Sequence, residues 1–143
     1  MKTKVLSLAA LFMLLLVSIF NIAVAGDMKH VVIQVSSNDP VTQKIALNNA
    51  VNLQKLYGMD NVEVEIVAYG PGLGLMTKAS DNAKRVESLA MQNINFSACM
   101  NTMKKVEKKT GKKPMLSEGV NTTPSGIARI VELQGEGYAY IRP

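Results

Sequence analysis

Lys29-His30-Val31-Val32-Ile33-Gln34-Val35 is a nearly continuous β-branched run, and four residues beyond it comes Asp39-Pro40, followed by Ala46, Leu47, Ala50, Val51 and Leu53 on one broad helical face. The run has the composition of a strand buried on both faces. Asp39 supplies an N-cap, and Pro40 suits the first helical position, where the missing amide costs no hydrogen bond. Gly58 can stop the helix. A buried strand answered by an amphipathic helix reads as half of a βαβ unit, which makes the next strand parallel to the first.

The pattern repeats downstream. Asn61 to Tyr69 is a second strand that begins by alternating, with one side of its early half exposed, and ends fully apolar. Gly70-Pro71-Gly72-Leu73-Gly74 punctuates its end. Ser80 can cap a helix to about Gln92, with Ala83, Val86, Leu89 and Ala90 inward. Asn95-Phe96-Ser97-Ala98 is a short third strand running into Cys99, and Cys99 to Thr110 is helical, with Met100, Met103 and Val106 three apart and Gly111 as the stop. Thr123-Pro124 repeats the cap-and-proline device for a last helix carrying Ile127, Ile130 and Val131, which Gly135 and Gly137 close before a final strand, Tyr138 to Ile141. The predicted fold is α/β: three α/β/α layers around a mostly parallel sheet of four to five strands, flavodoxin- or Rossmann-like in architecture. Ligands of such sheets sit at the carboxyl ends of the strands, where Gly70–Gly74 and Cys99 both fall.

Upstream, Lys2 and Lys4 precede an apolar run from Val5 to Phe20, and Ala23-Val24-Ala25 stands before Gly26. This is the order of an export signal with its cleavage site, so residues 1–25 read as a signal peptide and residues 26–143 as one periplasmic or secreted domain. No cysteine stands at the cut to take a lipid. With Lys2 and Lys4 gone, 14 basic side chains face 11 acidic ones, and six of the 14 lie between Lys104 and Lys113. The basic balance is therefore local. Export and scarce aromatics (5%) argue against a nucleic-acid partner. No membrane partner is expected once the signal is removed.

One cysteine in an exported chain is informative, because it must pair with another molecule, react, or be buried. Cys99 opens a helix, where free amides and the macrodipole favour a thiolate or a persulfide anion, and Asn101 and Thr102 stand within the same turn. The residues themselves leave this open against an inert buried thiol. Gly70, Gly72 and Gly74 could offer amides to an anion, although a plain loop is the better reading without the Lys-Ser/Thr of a phosphate loop. Cys99 and Met103 have a spacing that could hold Cu(I), but the methionines fit a packed stripe better, and no metal or cofactor is expected. The lysines read as a solvated face. One histidine, His30, with no obvious companion, and no Gly-x-Ser-x-Gly turn argue against a hydrolase.

Val64-Glu65-Ile66-Val67-Ala68-Tyr69-Gly70-Pro71-Gly72, Phe96-Ser97-Ala98-Cys99-Met100-Asn101-Thr102-Met103 and Gly137-Tyr138-Ala139-Tyr140-Ile141-Arg142-Pro143 together resemble the DsrE/DsrF-like family, in its exported branch, from about Lys29 to Pro143. The resemblance implies an α/β/α domain assembled as a homotrimer or hexamer. It also implies sulfur relay, with Cys99 holding sulfane sulfur as a persulfide between a donor and an acceptor that is a protein or a small thiol. The expectation is an exported sulfur carrier, sulfurtransferase-like if it turns over, with Cys99 as the reacting group and Asn101, Thr102, Gly70, Gly72 and Gly74 around the sulfur. Its rivals are a non-catalytic module binding a small anion or nucleotide, and a structural subunit of a homo-oligomer, each with Cys99 merely packed.

Overall fold

The computed structural model describes residues 28–143, so the signal peptide read over residues 1–25 lies outside the described residues. Strand β1 (Lys29–Val35) leads into helix α1 (Pro40–Tyr57), whose first turn Asp39 caps by accepting from the Thr42 amide at 2.7 Å and the Thr42 hydroxyl at 2.8 Å. Gly58 ends α1 with a positive φ of 88°. Strand β2 (Val62–Ala68) runs into a 3₁₀ helix (Gly70–Met76), then α2 (Ala83–Ala90), β3 (Ile94–Cys99) and α3 (Met100–Thr110). Strand β4 (Val120–Thr123), α4 (Gly126–Gly135) and β5 (Ala139–Ile141) complete the chain.

The five strands are parallel, in the order β4-β3-β2-β1-β5. From β1 to β4 each crossover steps one strand in the same direction, so right-handed connections put α1, α2 and α3 on one face. There Val31, Ile33, Val64, Ile66 and Phe96 pack with Leu47, Val86, Leu89 and Met103. The last crossover returns across the sheet, which places α4 on the other face. Ile130 and Leu133 of α4 cover Val32 and Val67 there, with Tyr138. This second layer is one helix wide, and the same face of β3 and β4 carries polar side chains. Among the described residues no helix is long and apolar enough to cross a membrane.

Several expectations need correction. Val120–Thr123 is a strand that the sequence pattern did not disclose, because an edge strand with one apolar residue has no periodic signal. Thr123 therefore ends β4 and does not cap α4; Ser125 does, accepting from the Ala128 amide at 3.5 Å. Ser80 lies in a turn before α2, accepting from the Asn82 amide, and α2 stops at Ala90. Ile127 and Val131 are 54% and 62% exposed, since α4 has a neighbour on its inner side only. Met100 is exposed too, leaving Met103 and Val106 as the inward stripe of α3. Glu65 is buried, although the alternation of β2 placed it on an exposed side.

Gly72 is fixed by close approach. A Cβ there would stand 2.1 Å from the Val35 carbonyl oxygen, so only glycine lets the 3₁₀ helix lie across the end of β1.

Candidate functional site

In a parallel sheet all the strands end on one edge and the following helices begin there. Tyr69 and Gly70 follow β2, Cys99 ends β3, and Thr123 is paired with Cys99 at the end of β4. Cys99 is 5% exposed and holds the capping position of α3 in extended conformation (φ −72°, ψ 114°). Two helix starts converge on it. The amides of Asn101 and Thr102 belong to α3, and the amide of Gly126 is the first of α4.

These donors decide the ionisation of the thiol. Burial is the largest influence and by itself raises the pKa. It is outweighed by hydrogen bonds from the Thr102 hydroxyl, the Gly126 amide, the Thr102 amide and the Asn101 amide, which together bring the thiol below its ordinary value. The Asn101 amide is shared, since it also reaches the Pro124 carbonyl at 3.3 Å. The Thr102 hydroxyl is a relay: its oxygen accepts from the Gly70 amide at 2.9 Å while its proton is directed at the sulfur. Accepting one hydrogen bond polarises the hydroxyl toward donating the other.

Of the residues singled out in the sequence, Cys99, Thr102 and Gly70 are brought together. Asn101 contributes its backbone, and its side chain is exposed. The Gly72 amide bonds to the Tyr69 carbonyl, and Gly74 uses its carbonyl to accept from the Thr77 amide and hydroxyl, so these two serve the 3₁₀ helix. Sequence reasoning missed Gly126, which belongs to an element entered 27 residues along from the cysteine by way of β4, a strand it did not see. The signal was present as Ser125-Gly126: a cap followed by a residue with no side chain. A Cβ on Gly126 would stand 3.0 Å from the Tyr69 side chain, so any other residue there would push Tyr69 or the start of α4 aside.

Behind the cysteine, on the same face of the sheet as α4, lies a half-buried ion pair, with Glu65 enclosed and Arg129 partly exposed. Arg129 of α4 donates to Glu65 of β2 through Nε (3.0 Å) and Nη2 (2.8 Å), and the Ser97 hydroxyl donates to the same carboxylate at 2.7 Å. The Glu65 side chain is 4% exposed. The bond to Glu65 is the largest influence on Arg129 and raises its pKa further, against the effect of burial. Farther from the edge, His30 has companions after all: its Nδ1 lies 3.2 Å from Glu63 Oε2, and its ring is 5.1 Å from that of Tyr138. Burial, then the bond to Glu63, holds the Tyr138 phenol well above its ordinary range.

Two hollows flank the edge. One, about 210 Å³, is lined by Met100, Met103, Lys104, Glu107, Lys113 and Thr122. The other, about 460 Å³, is polar and runs along the open face of β2, β3 and β4 past Ser97, Thr123 and Arg129. Among the described residues no group of three or more His, Cys, Asp or Glu side chains is placed to hold a metal ion.

A parallel α/β sheet with a single thiol at a strand end, cradled by two helix starts, defines a class of small thiol-bearing α/β proteins. The chain belongs to the DsrE/DsrF-like family, whose sequence profile matches residues 29–143. It is similar to the solved structure of MTH1491 from Methanobacterium thermoautotrophicum, a protein of unknown function, with 32% identity, a TM-score of 0.72, and 80% of this chain and 99% of that one covered. It shares the fold of the ychN protein of E. coli at 13% identity and a TM-score of 0.66, over 81% of this chain and 100% of that one. Curated proteins gave no match.

Proposed function

We propose that this protein is an exported sulfur carrier that holds sulfane sulfur as a persulfide on Cys99. One observation carries the reading: four hydrogen-bond donors converge on a nearly enclosed thiol and outweigh the burial that would keep it protonated. A thiol packed only to fill space has no use for them. Membership of a family linked to sulfur relay supports the same reading.

The chemistry is two successive displacements at sulfur. The Cys99 thiolate attacks the outer sulfur of a donor persulfide, R–S–SH. The donor S–S bond breaks, RS⁻ leaves, and Cys99–S–SH forms. An acceptor thiolate then attacks the outer sulfur and Cys99 leaves as thiolate, so no electrons are gained or lost overall. The Thr102 hydroxyl and the amides of Asn101, Thr102 and Gly126 stabilise the sulfur anion before and after transfer. Export of the chain is part of the proposal and rests on the Lys2 to Ala25 pattern. So is self-association, for which the exposed Ile127 and Val131 of α4 offer an apolar surface.

The competing module that binds a small anion at the Gly-rich loop is less well supported, because Gly70 and Gly72 spend their amides on Thr102 and Tyr69. Intact-mass spectrometry tests the carrier. Protein treated with a small-molecule persulfide should gain about 32 Da, reversibly with reductant, and Cys99→Ser should gain nothing while keeping its circular dichroism. A wild-type protein that stays unmodified under the same treatment would exclude the carrier.

A further inference from the structure

We propose that the Glu65–Arg129–Ser97 network is a positioning device that holds the first turns of α4, and with them the Gly126 amide, against the Cys99 sulfur. The inference rests on the reading of Cys99 as the reacting thiol. Arg129 lies one turn beyond Gly126, and its own amide bonds to the Ser125 carbonyl at 3.0 Å, so its guanidinium is tied to the turn that presents the donor. The apolar anchors of α4, Ile130 and Leu133, come later and secure the rest of the helix. At its start α4 has a glycine, with no side chain to lock it in place. The planar fork of Arg129 on an enclosed carboxylate sets both distance and angle, which hydrophobic contact does not. Ser97 fixes the carboxylate in turn, from the strand that carries Cys99.

Direct electrostatics predicts a different outcome, and the sign separates the two. The charged groups on the elements around Cys99 are Glu63 and Glu65 on β2, Lys104, Lys105, Glu107, Lys108 and Lys109 on α3, and Arg129 and Glu132 on α4; β4 and the 3₁₀ helix contribute none. Neutralising Glu65 removes a negative charge and leaves Arg129 uncompensated, so a purely through-space influence makes the thiolate easier to form. Loss of positioning makes it harder, because the Gly126 donor drifts.

The test is a pH titration of the far-ultraviolet absorbance of the thiolate, with the Cys99→Ser protein as background, which needs no access of a reagent to the buried sulfur. Glu65→Gln should raise the midpoint by roughly one pH unit, a tenfold loss of thiolate at a pH well below it. Ser97→Ala should raise it less, in the same direction. An unchanged or lowered midpoint in folded Glu65→Gln overturns the proposal. If that variant does not fold, Arg129→Lys, which keeps the charge and loses the fork, takes its place: a raised midpoint supports positioning, and an unchanged one overturns it. Persulfide loading of the wild type is scored separately. A chain that titrates as expected and takes up no sulfur sinks the carrier and leaves the positioning network standing.

Discussion

Thr102 is the residue at which the cysteine and the Gly-rich segment meet, and its replacement has a defined signature. Thr102→Val keeps the shape, removes the donor to the sulfur and strands the Gly70 amide. The Cys99 midpoint should rise by roughly one pH unit, and stability should fall by about 1–2 kcal/mol for the unpaired amide. Thr102→Ser should restore both, and thiol titration with thermal melts of the three proteins checks it. The wild-type thiol also links stability to pH. Its folded-state pKa lies below the ordinary value near 9, so the thiolate stabilises the folded chain fully above that value. The contribution is lost as pH falls through the folded-state pKa. The melting temperature of the wild type relative to Cys99→Ser should therefore rise as the buffer is taken from mildly acidic to alkaline.

At the scale of elements, the 3₁₀ helix depends on Gly72. Gly72→Ala would press a methyl group into the Val35 carbonyl, and the cost should be among the larger single-residue effects, roughly 3 kcal/mol or more. A chemical denaturation curve would reveal it, and Gly74→Ala, where nothing lies within 4 Å of the added atom, is the control. Helix starts and stops were the most legible features of the sequence. Asp39 caps α1, Gly58 ends it and Gly111 ends α3 in the left-handed conformation, because each is a local signal read within one turn. The start of α4 was misread for the same reason. Thr123-Pro124 has the local form of a cap, but pairing of Thr123 with Cys99 takes it into the sheet.

For the whole molecule, the division of the sheet into a thickly covered face and a thinly covered one governs two outcomes. Phe96 is fully buried in the larger core, and Phe96→Ala should cost about 3–5 kcal/mol in a denaturation experiment. On the thin side, the proposed self-association predicts that Ile127→Asp combined with Val131→Asp leaves the fold intact, since both side chains are exposed, and brings the mass measured by light scattering from that of several chains to that of one. A variant that keeps the multimeric mass of the wild type places self-association on another surface, and a wild type with the mass of one chain refutes it.

Strands and helices alternating everywhere but at the edge strand β4, the parallel sheet this entails, and the place of Cys99 where a strand becomes a helix are all written in the sequence. These follow from apolar runs, spacing and caps, which act over a few residues, and from the handedness of the crossover. What surrounds the sulfur comes from the path of the chain in three dimensions. The return of the chain from β4 to β5 carries α4 across the open face, brings the Gly126 amide to Cys99, and sets Arg129 on Glu65, 64 residues earlier in the chain. An alternating Val-Glu-Val-Glu strand says that its glutamates face away from the main core. It cannot say that one of them meets an arginine there, because that partner is supplied by the path of the chain through space.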